Sequence, residues 1–340
     1  MVKLPIETKN PLFGLYLYPS AKLIMEKQQD IAWTATEIAV EKDVHDYRHN
    51  LDAAQLNLVT VTLQLFVEIE QKVGDVWEQI ASWFPHSEIE GCALQFAAME
   101  KSVHAFFYQK MSDELNIDPE ETAKNQQTIA VLKSKLEFLN KITTNLSADK
   151  PLALATVALL EQVLLFSNFA MLKSFQANGH NLIGSTVSGV TFVINDEVLH
   201  GQLASYLHST YIEEYNQQTG NAFDLQRHRA NIITLVDEVV AHEDAVIDYT
   251  FPGQIAINDI TSEQLKSFIR SRANSVLQDL DADYSYLVTS NPIGEWFYKG
   301  ANSIKTHDFF VKGTNSYRRG WSLDSFSRKP FLEDSNVSQH

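Results

Sequence analysis

A chain of 340 residues with 44% hydrophobic content can bury a large core, and one large domain plus a tail accounts for that length. Its 27 basic and 43 acidic residues leave a formal charge of -16, which repels phosphate backbones and anionic lipid surfaces, so neither nucleic acid nor a membrane is expected as a partner. Cys92 is the single cysteine, which excludes an intramolecular disulfide and a thiolate zinc site and points to a reducing, cytoplasmic compartment.

The first residues, MVKLPIETKNPLFGLYLYPS, lack the uninterrupted apolar stretch of an export signal and read as part of an N-terminal arm of about residues 1–30. Glycine and proline are scarce, and the long apolar patterns follow a helical period, so an all-α fold is expected. Helices are predicted at about 51–83, 88–115, 119–146, 151–177, 186–218, 223–248 and 262–282. Ser87 with Glu90 reads as a capping box, Asp118-Pro119-Glu120-Glu121 opens another helix, and Thr261 with Gln264 opens the last. Asn178-Gly179 closes the fourth.

Within that fourth helix, residues 152–172 are long and apolar enough to span a bilayer. Glu161 stands at the middle with Gln162 and Asn168 close by, so the segment reads as a central buried helix. Past Asn291-Pro292 the pattern weakens, which ends the domain near residue 300. Residues 301–340 mix aromatic, basic and small polar side chains without a sustained apolar face. Such a segment is a tail that orders only against something else, and its aromatic side chains, among them Tyr317, Trp321 and Phe326, suit either packing across the parent domain or anchoring in a partner.

Four helices carry carboxylates on apolar faces. Glu70 shares its stripe with Phe66, Val73 and Trp77, whereas Glu68, Gln71, Asp75 and Glu78 fall on the wetter side. Glu100 lies with Phe96, Ala97, Val103 and Phe107, and His104 follows one turn later. Glu161 is the only charge between Leu152 and Leu172. Glu197 and His200 continue the stripe of Val190, Val193, Leu203 and Leu207 at a spacing that points both the same way. A lone buried glutamate has plain explanations, and Glu238 with His242 reads as an ordinary half-exposed pair. Two half-sites, each a lone carboxylate followed by a carboxylate–histidine helix, are what two metal ions require, with four carboxylates to neutralise and bridge them and one imidazole apiece. Lysine and arginine are absent from the four stripes, which makes a network of buried ion pairs a poor rival.

From about Trp33 to Tyr317 the sequence resembles the small, radical-generating subunit of class I ribonucleotide reductase, most specifically in LFVEIEQKVGD, FAAMEKSVHAFFY, LLEQVLLFSNFAML and VINDEVLH. The resemblance implies a ferritin-like bundle with a dimetal-carboxylate site, an architecture to which the general rule for such bundles already applies. It implies two iron ions per chain, with a mixed manganese–iron centre as the alternative, that use O2 to oxidise Tyr108 to a stable radical. It further implies a transfer route through Trp33, Asp196 and His104 and onward through Tyr317 to a large subunit, with the small subunit a homodimer. The absence of a set of redox thiols agrees with substrate reduction taking place on that separate chain.

Two departures from the family pattern stand out. Glu70 occupies a position that is most often aspartate, and Glu100 and His104 are four apart instead of three. A local helix irregularity would absorb the second, and the distance from Glu161 to Phe166 suggests another. The rival functions are a stand-alone ferritin-like dimetal oxidase, which would not need the aromatic tail, and an iron-storage protein, which would need a shell and many irons per chain.

Overall fold

The computed structural model describes residues 3–10 and 15–298, and the tail with Tyr317 lies outside the described residues. Within them the regular structure is helical, with only an isolated bridge between Ile257 and Ile260. The helices are α1 (Pro19–Asp30), α2 (Val44–His49), α3 (Ala53–Trp83), α4 (Ser87–Met99), α5 (Ala105–Glu114), α6 (Pro119–Thr128), α7 (Ala130–Ile142), α8 (Lys150–Leu159), α9 (Phe166–Lys173), α10 (Gly184–Thr219), α11 (Leu225–Thr250), α12 (Ser262–Asp279) and α13 (Pro292–Phe297). A π turn, Glu100–His104, joins α4 to α5, and a second, Leu160–Leu164, lies between α8 and α9.

Each long element follows from its residues. A reciprocal cap starts α3, with Asp52 Oδ1 accepting from Gln55 N at 2.9 Å and Gln55 Oε1 accepting from Asp52 N at 2.8 Å. Phe66, Ile69, Glu70, Val73, Trp77 and Ile80 then recur at three- and four-residue steps and are buried. Thr261 and Gln264 form the expected capping box on α12, and the Asp118 side chain caps α6.

Ser87 does not cap α4. The helix starts at Ser87 itself with His86 at its N-cap, and Glu88 in its first turn accepts from Leu17 N and Tyr18 N at 2.8 and 2.9 Å. That contact starts α1, a helix inside the segment expected to be an arm, and α1 packs on α4 and α10.

The predicted helix over 119–146 is two helices that meet at Ile129, whose backbone is extended. No breaker residue marks the joint. Polar α6 buries nothing, whereas α7 commits Leu132, Leu136, Phe138 and Leu139 to the core, so the two have no common face to follow.

The 36-residue α10 begins on Ile183 in the left-handed region, and its first N–H groups are met from outside the helix. Asp46 accepts from Ile183 N at 2.8 Å, and Asp43 accepts from Ser185 N and Thr186 N at 3.1 and 2.6 Å. These carboxylates satisfy orphan donors and complement the helix dipole, which fixes the axial position of Asp196, Glu197 and His200.

Segment Lys150–Gln176, with a mean hydropathy of 1.7 over its best window, is the one stretch among the described residues long and apolar enough to cross a membrane. The window is 94% buried by the surrounding bundle, as a core helix would be. Helices α3, α4–α5, α8–α9 and α10 enclose the centre, with α11 and α12 packed outside α8 and α9.

Candidate metal centre

The four inner helices bring Glu70, Glu100, His104, Glu161, Glu197 and His200 together, all of them buried. Their ligand atoms form two overlapping groups, Glu70, Glu100, His104 and Glu197 in one and Glu100, Glu161, Glu197 and His200 in the other, each within 4.8 Å of one another. Glu100 and Glu197 belong to both. Glu100 places Oε2 at 3.4 Å from His104 Nδ1 and Oε1 at 2.8 Å from His200 Nδ1. Glu197 places Oε1 at 3.2 Å from His104 Nδ1 and Oε2 at 3.6 Å from His200 Nδ1. The outer carboxylates stand one on each side, with Glu70 Oε2 at 3.4 Å from His104 Nδ1 and Glu161 Oε2 at 3.6 Å from His200 Nδ1.

The two π turns do the local work. The first inserts the extra residue between Glu100 and His104, so that a four-residue spacing still directs both inward, and Gly74 on α3 leaves room for Lys101. A Cβ there would stand 2.7 Å from Lys101 Cγ. Lys101 leaves the core and pairs with Asp75 and Glu78 at 2.6 and 2.7 Å. The second π turn contains Glu161 itself.

Electrostatics test whether metal ions fit here. Burial, and then the neighbouring Glu100, lifts Glu70 well above the usual carboxylate range, and burial with Glu197 does the same to Glu161. Burial works to lower both imidazoles, yet the carboxylates outweigh it, Glu100 foremost at His104 and Glu161 at His200, and both are pulled well above the ordinary histidine value. The pocket therefore demands positive charge. Four carboxylates match two divalent cations, and both oxygens of Glu70, Glu100 and Glu197, with Nδ1 of each histidine, have no hydrogen-bond partner outside the cluster among the described residues. The donor set fits a pair of metal ions.

Around this cluster, Asp196 collects three donors. Its Oδ2 accepts from Trp33 Nε1 at 2.8 Å and lies 2.9 Å from His104 Nε2, while Oδ1 accepts from Gln28 Nε2 at 2.8 Å. A carboxylate can only accept, so Nε2 of His104 carries a proton toward Asp196, and Nδ1 is the nitrogen that faces the cluster and would be free to bind a metal. Trp33 stacks beside His104 with ring centroids 6.0 Å apart.

Tyr108 is fully buried and its hydroxyl has no hydrogen-bond partner among the described residues. Burial, and then Glu70, raises its pKa well above that of a free phenol. Phe66 and Phe107 flank the ring at 4.5 and 5.1 Å between centroids. Beyond Phe66, Phe169 meets its ring at 5.2 Å, and Phe166 stands beyond Phe169.

Sequence reading passed over Gln28 and the role of Trp77, whose indole N–H donates to Glu161. Gln28 lies in a helix that was read as an arm, and Trp77 was assigned to the Glu70 stripe as packing. Glu238 pairs with exposed Lys141 at 3.1 Å and His242 stacks on Phe138 at 4.3 Å, away from the cluster.

The family model for the ribonucleotide reductase small chain matches residues 16–292. A probable ribonucleoside-diphosphate reductase small subunit of Invertebrate iridescent virus 3 is 24% identical over 325 residues, covering 90% of this chain and 84% of its own. The ribonucleoside-diphosphate reductase small chain of Acanthamoeba polyphaga mimivirus is 22% identical, over 89% of this chain and 69% of its own. Among solved structures, the dimanganese(II) NrdF of Streptococcus sanguinis superposes with a TM-score of 0.69 at 21% identity, covering 85% of this chain and 99% of that one. A putative class I ribonucleotide reductase from Bacillus halodurans gives 0.71 at 18% identity, over 83% and 99%. At such identities these structures speak for the fold.

Proposed function

Because the chain belongs to the ribonucleotide reductase small-chain family, and so is a subunit of an oxidoreductase, we propose that it generates and stores the radical that a separate large subunit uses to reduce ribonucleotides. The observation that carries this reading is the doubled ligand set, in which Glu100 and Glu197 each turn one oxygen to either half. Glu70, Glu100, His104, Glu161, Glu197 and His200 would hold two iron ions, with manganese–iron as the second choice because of the longer Glu70. When bound, such a pair supplies the oxidising power, drawn from O2, that removal of an electron from a phenol requires.

The chain's own residues do the rest. Tyr108 is the radical site in this reading, held neutral by burial until it is oxidised and sealed from water by Phe66 and Phe107. Asp196 fixes the tautomer of His104 and joins it to Trp33, which gives a hydrogen-bonded path out of the cluster. Residues 301–340 would dock on the large subunit and Tyr317 would carry the radical across the junction, the small subunit working as a homodimer.

Purified protein loaded with Fe2+ in air should hold two irons per chain and show a tyrosyl signal by electron paramagnetic resonance. Absence of both metal and signal would sink the proposal. Asp196→Asn gives a finer test, because Gln28 can turn its amide to face the new NH2, so shape and pairing survive and only the negative charge is lost. The expected result is a metal affinity about ten- to a hundredfold weaker, as for other outer partners of ligating histidines, with turnover lost. Undiminished turnover would remove Asp196 from the path. Tyr317→Phe should bind the large subunit normally and give no turnover; activity equal to the parent would place the exit elsewhere.

A further inference from the structure

The turn that carries Glu161 is tied down from three other helices. A π turn adds a residue to the helix, so backbone groups around it need partners that a regular α-helix would have supplied. Arg272 of α12 donates from Nε to Gln162 O at 3.0 Å, and its Nη2 lies 3.4 Å from Gln162 Oε1. Lys135 of α7 donates to Leu164 O at 2.8 Å. Glu243 of α11 pairs with Lys135 and accepts from both Ser167 N, at 3.3 Å, and the Ser167 hydroxyl.

Their surroundings show that these contacts are built in. Lys135 and Glu243 are completely buried, and the Arg272 guanidinium lies 4.0 Å from the centre of the Phe166 ring. Gly201, directly after His200, makes room for the displaced Gln162, since a Cβ there would stand 2.2 Å from Gln162 Nε2. A buried ion pair adds little net stability over apolar side chains of the same volume, so stability alone does not account for Lys135 and Glu243. What they touch does: the backbone on the far side of Glu161.

We propose that Arg272 and the Lys135–Glu243 pair are positioning residues that hold the π turn so that Glu161 reaches into the cluster. This rests on the dimetal reading above and adds a selectivity to it. The pair and Arg272 govern the ion held by Glu100, Glu161, Glu197 and His200, and leave the ion on the Glu70 and His104 side nearly untouched.

Calorimetric titration with Mn2+, alongside thermal melting of the metal-free protein, tests this in the full chain. The parent should bind two ions. Lys135→Met combined with Glu243→Leu, which keeps the volume and removes both charges, should still fold cooperatively when metal-free, with a melting temperature lowered by the loss of partners for Leu164 O and Ser167. It should nevertheless weaken one of its two ions about ten- to a hundredfold more than the other, as outer partners of metal ligands do. Arg272→Gln should do the same by an independent route, and Arg272→Lys, which keeps a donor for Gln162 O, should recover part of the loss. Two ions bound as tightly as in the parent by both the double variant and Arg272→Gln would overturn the inference. So would equal weakening of both ions, which is the mark of a merely structural role. A parent that takes up no Mn2+ would instead overturn the dimetal reading, and this inference with it.

Discussion

Glu100→Ala should strip both metal ions from the chain, whereas a change at Glu70 or Glu161 should fall mainly on one. The asymmetry comes from geometry: Glu100 Oε1 lies 2.8 Å from His200 Nδ1 and Oε2 lies 3.4 Å from His104 Nδ1, so one side chain serves both halves. Its removal leaves each half with three ligand residues and takes away a charge that either ion needs. Metal analysis after loading should fall from two ions per chain to nearly none.

The variant should still fold. Burial first, and then the charge of Glu100, lifts Glu70 above its ordinary range, so in the metal-free protein the loss of this side chain gives up an attraction to His104 but relieves a repulsion at Glu70. A melting temperature within a few degrees of the parent would show that the ions are lost through the ligand and not through unfolding. Glu238→Ala is the matched control, a helical Glu–His pairing whose carboxylate is engaged by Lys141 at the surface, and it should keep both ions. Retention of two ions by Glu100→Ala would remove the shared-ligand arrangement and with it the best support for the function.

Much of this was legible in the sequence because burial imposes a period. Glu70, Glu100, Glu161 and Glu197 each sit where a helix would place an apolar residue, and a carboxylate on a buried stripe needs a reason whatever the fold. The irregular spacings from Glu100 to His104 and from Glu161 to Phe166 pointed to the same two places where the helices carry π turns. Beyond the convergence of the ligand residues and the route through Trp33, Asp196 and His104 that the resemblance implies, contacts between distant segments were not legible. Gln28 and Asp196 are 168 positions apart, Lys135 and Glu243 108, and nothing in either local pattern specifies its partner. Lys135 and Arg272 look like the surface cations of amphipathic helices until the neighbouring π turn offers them carbonyls. The joint at Ile129 was equally hidden, because it arises from what α6 and α7 pack against and not from a breaker residue.

Tyr108→Phe should abolish the tyrosyl signal and bring turnover with the large subunit to background while leaving two metals bound and the fold at least as stable. The stability half of this result follows from the hydroxyl, which is completely buried and has no hydrogen-bond partner among the described residues. An unsatisfied buried polar group costs about 1–3 kcal/mol, so its deletion should be neutral or stabilising by up to about that amount. The ring's contacts with Phe66 and Phe107 do not involve the hydroxyl and would be retained. The functional half follows from position: Tyr108 is one helical turn beyond His104, and Glu70 is the charge that acts on it most strongly after burial itself. Loss of function with an unchanged or raised melting temperature separates a radical role from a packing role, which would fail in the opposite order. A full tyrosyl signal in the variant would put the stored oxidant on another tyrosine, and undiminished turnover with no tyrosyl signal at all would put it on the metals.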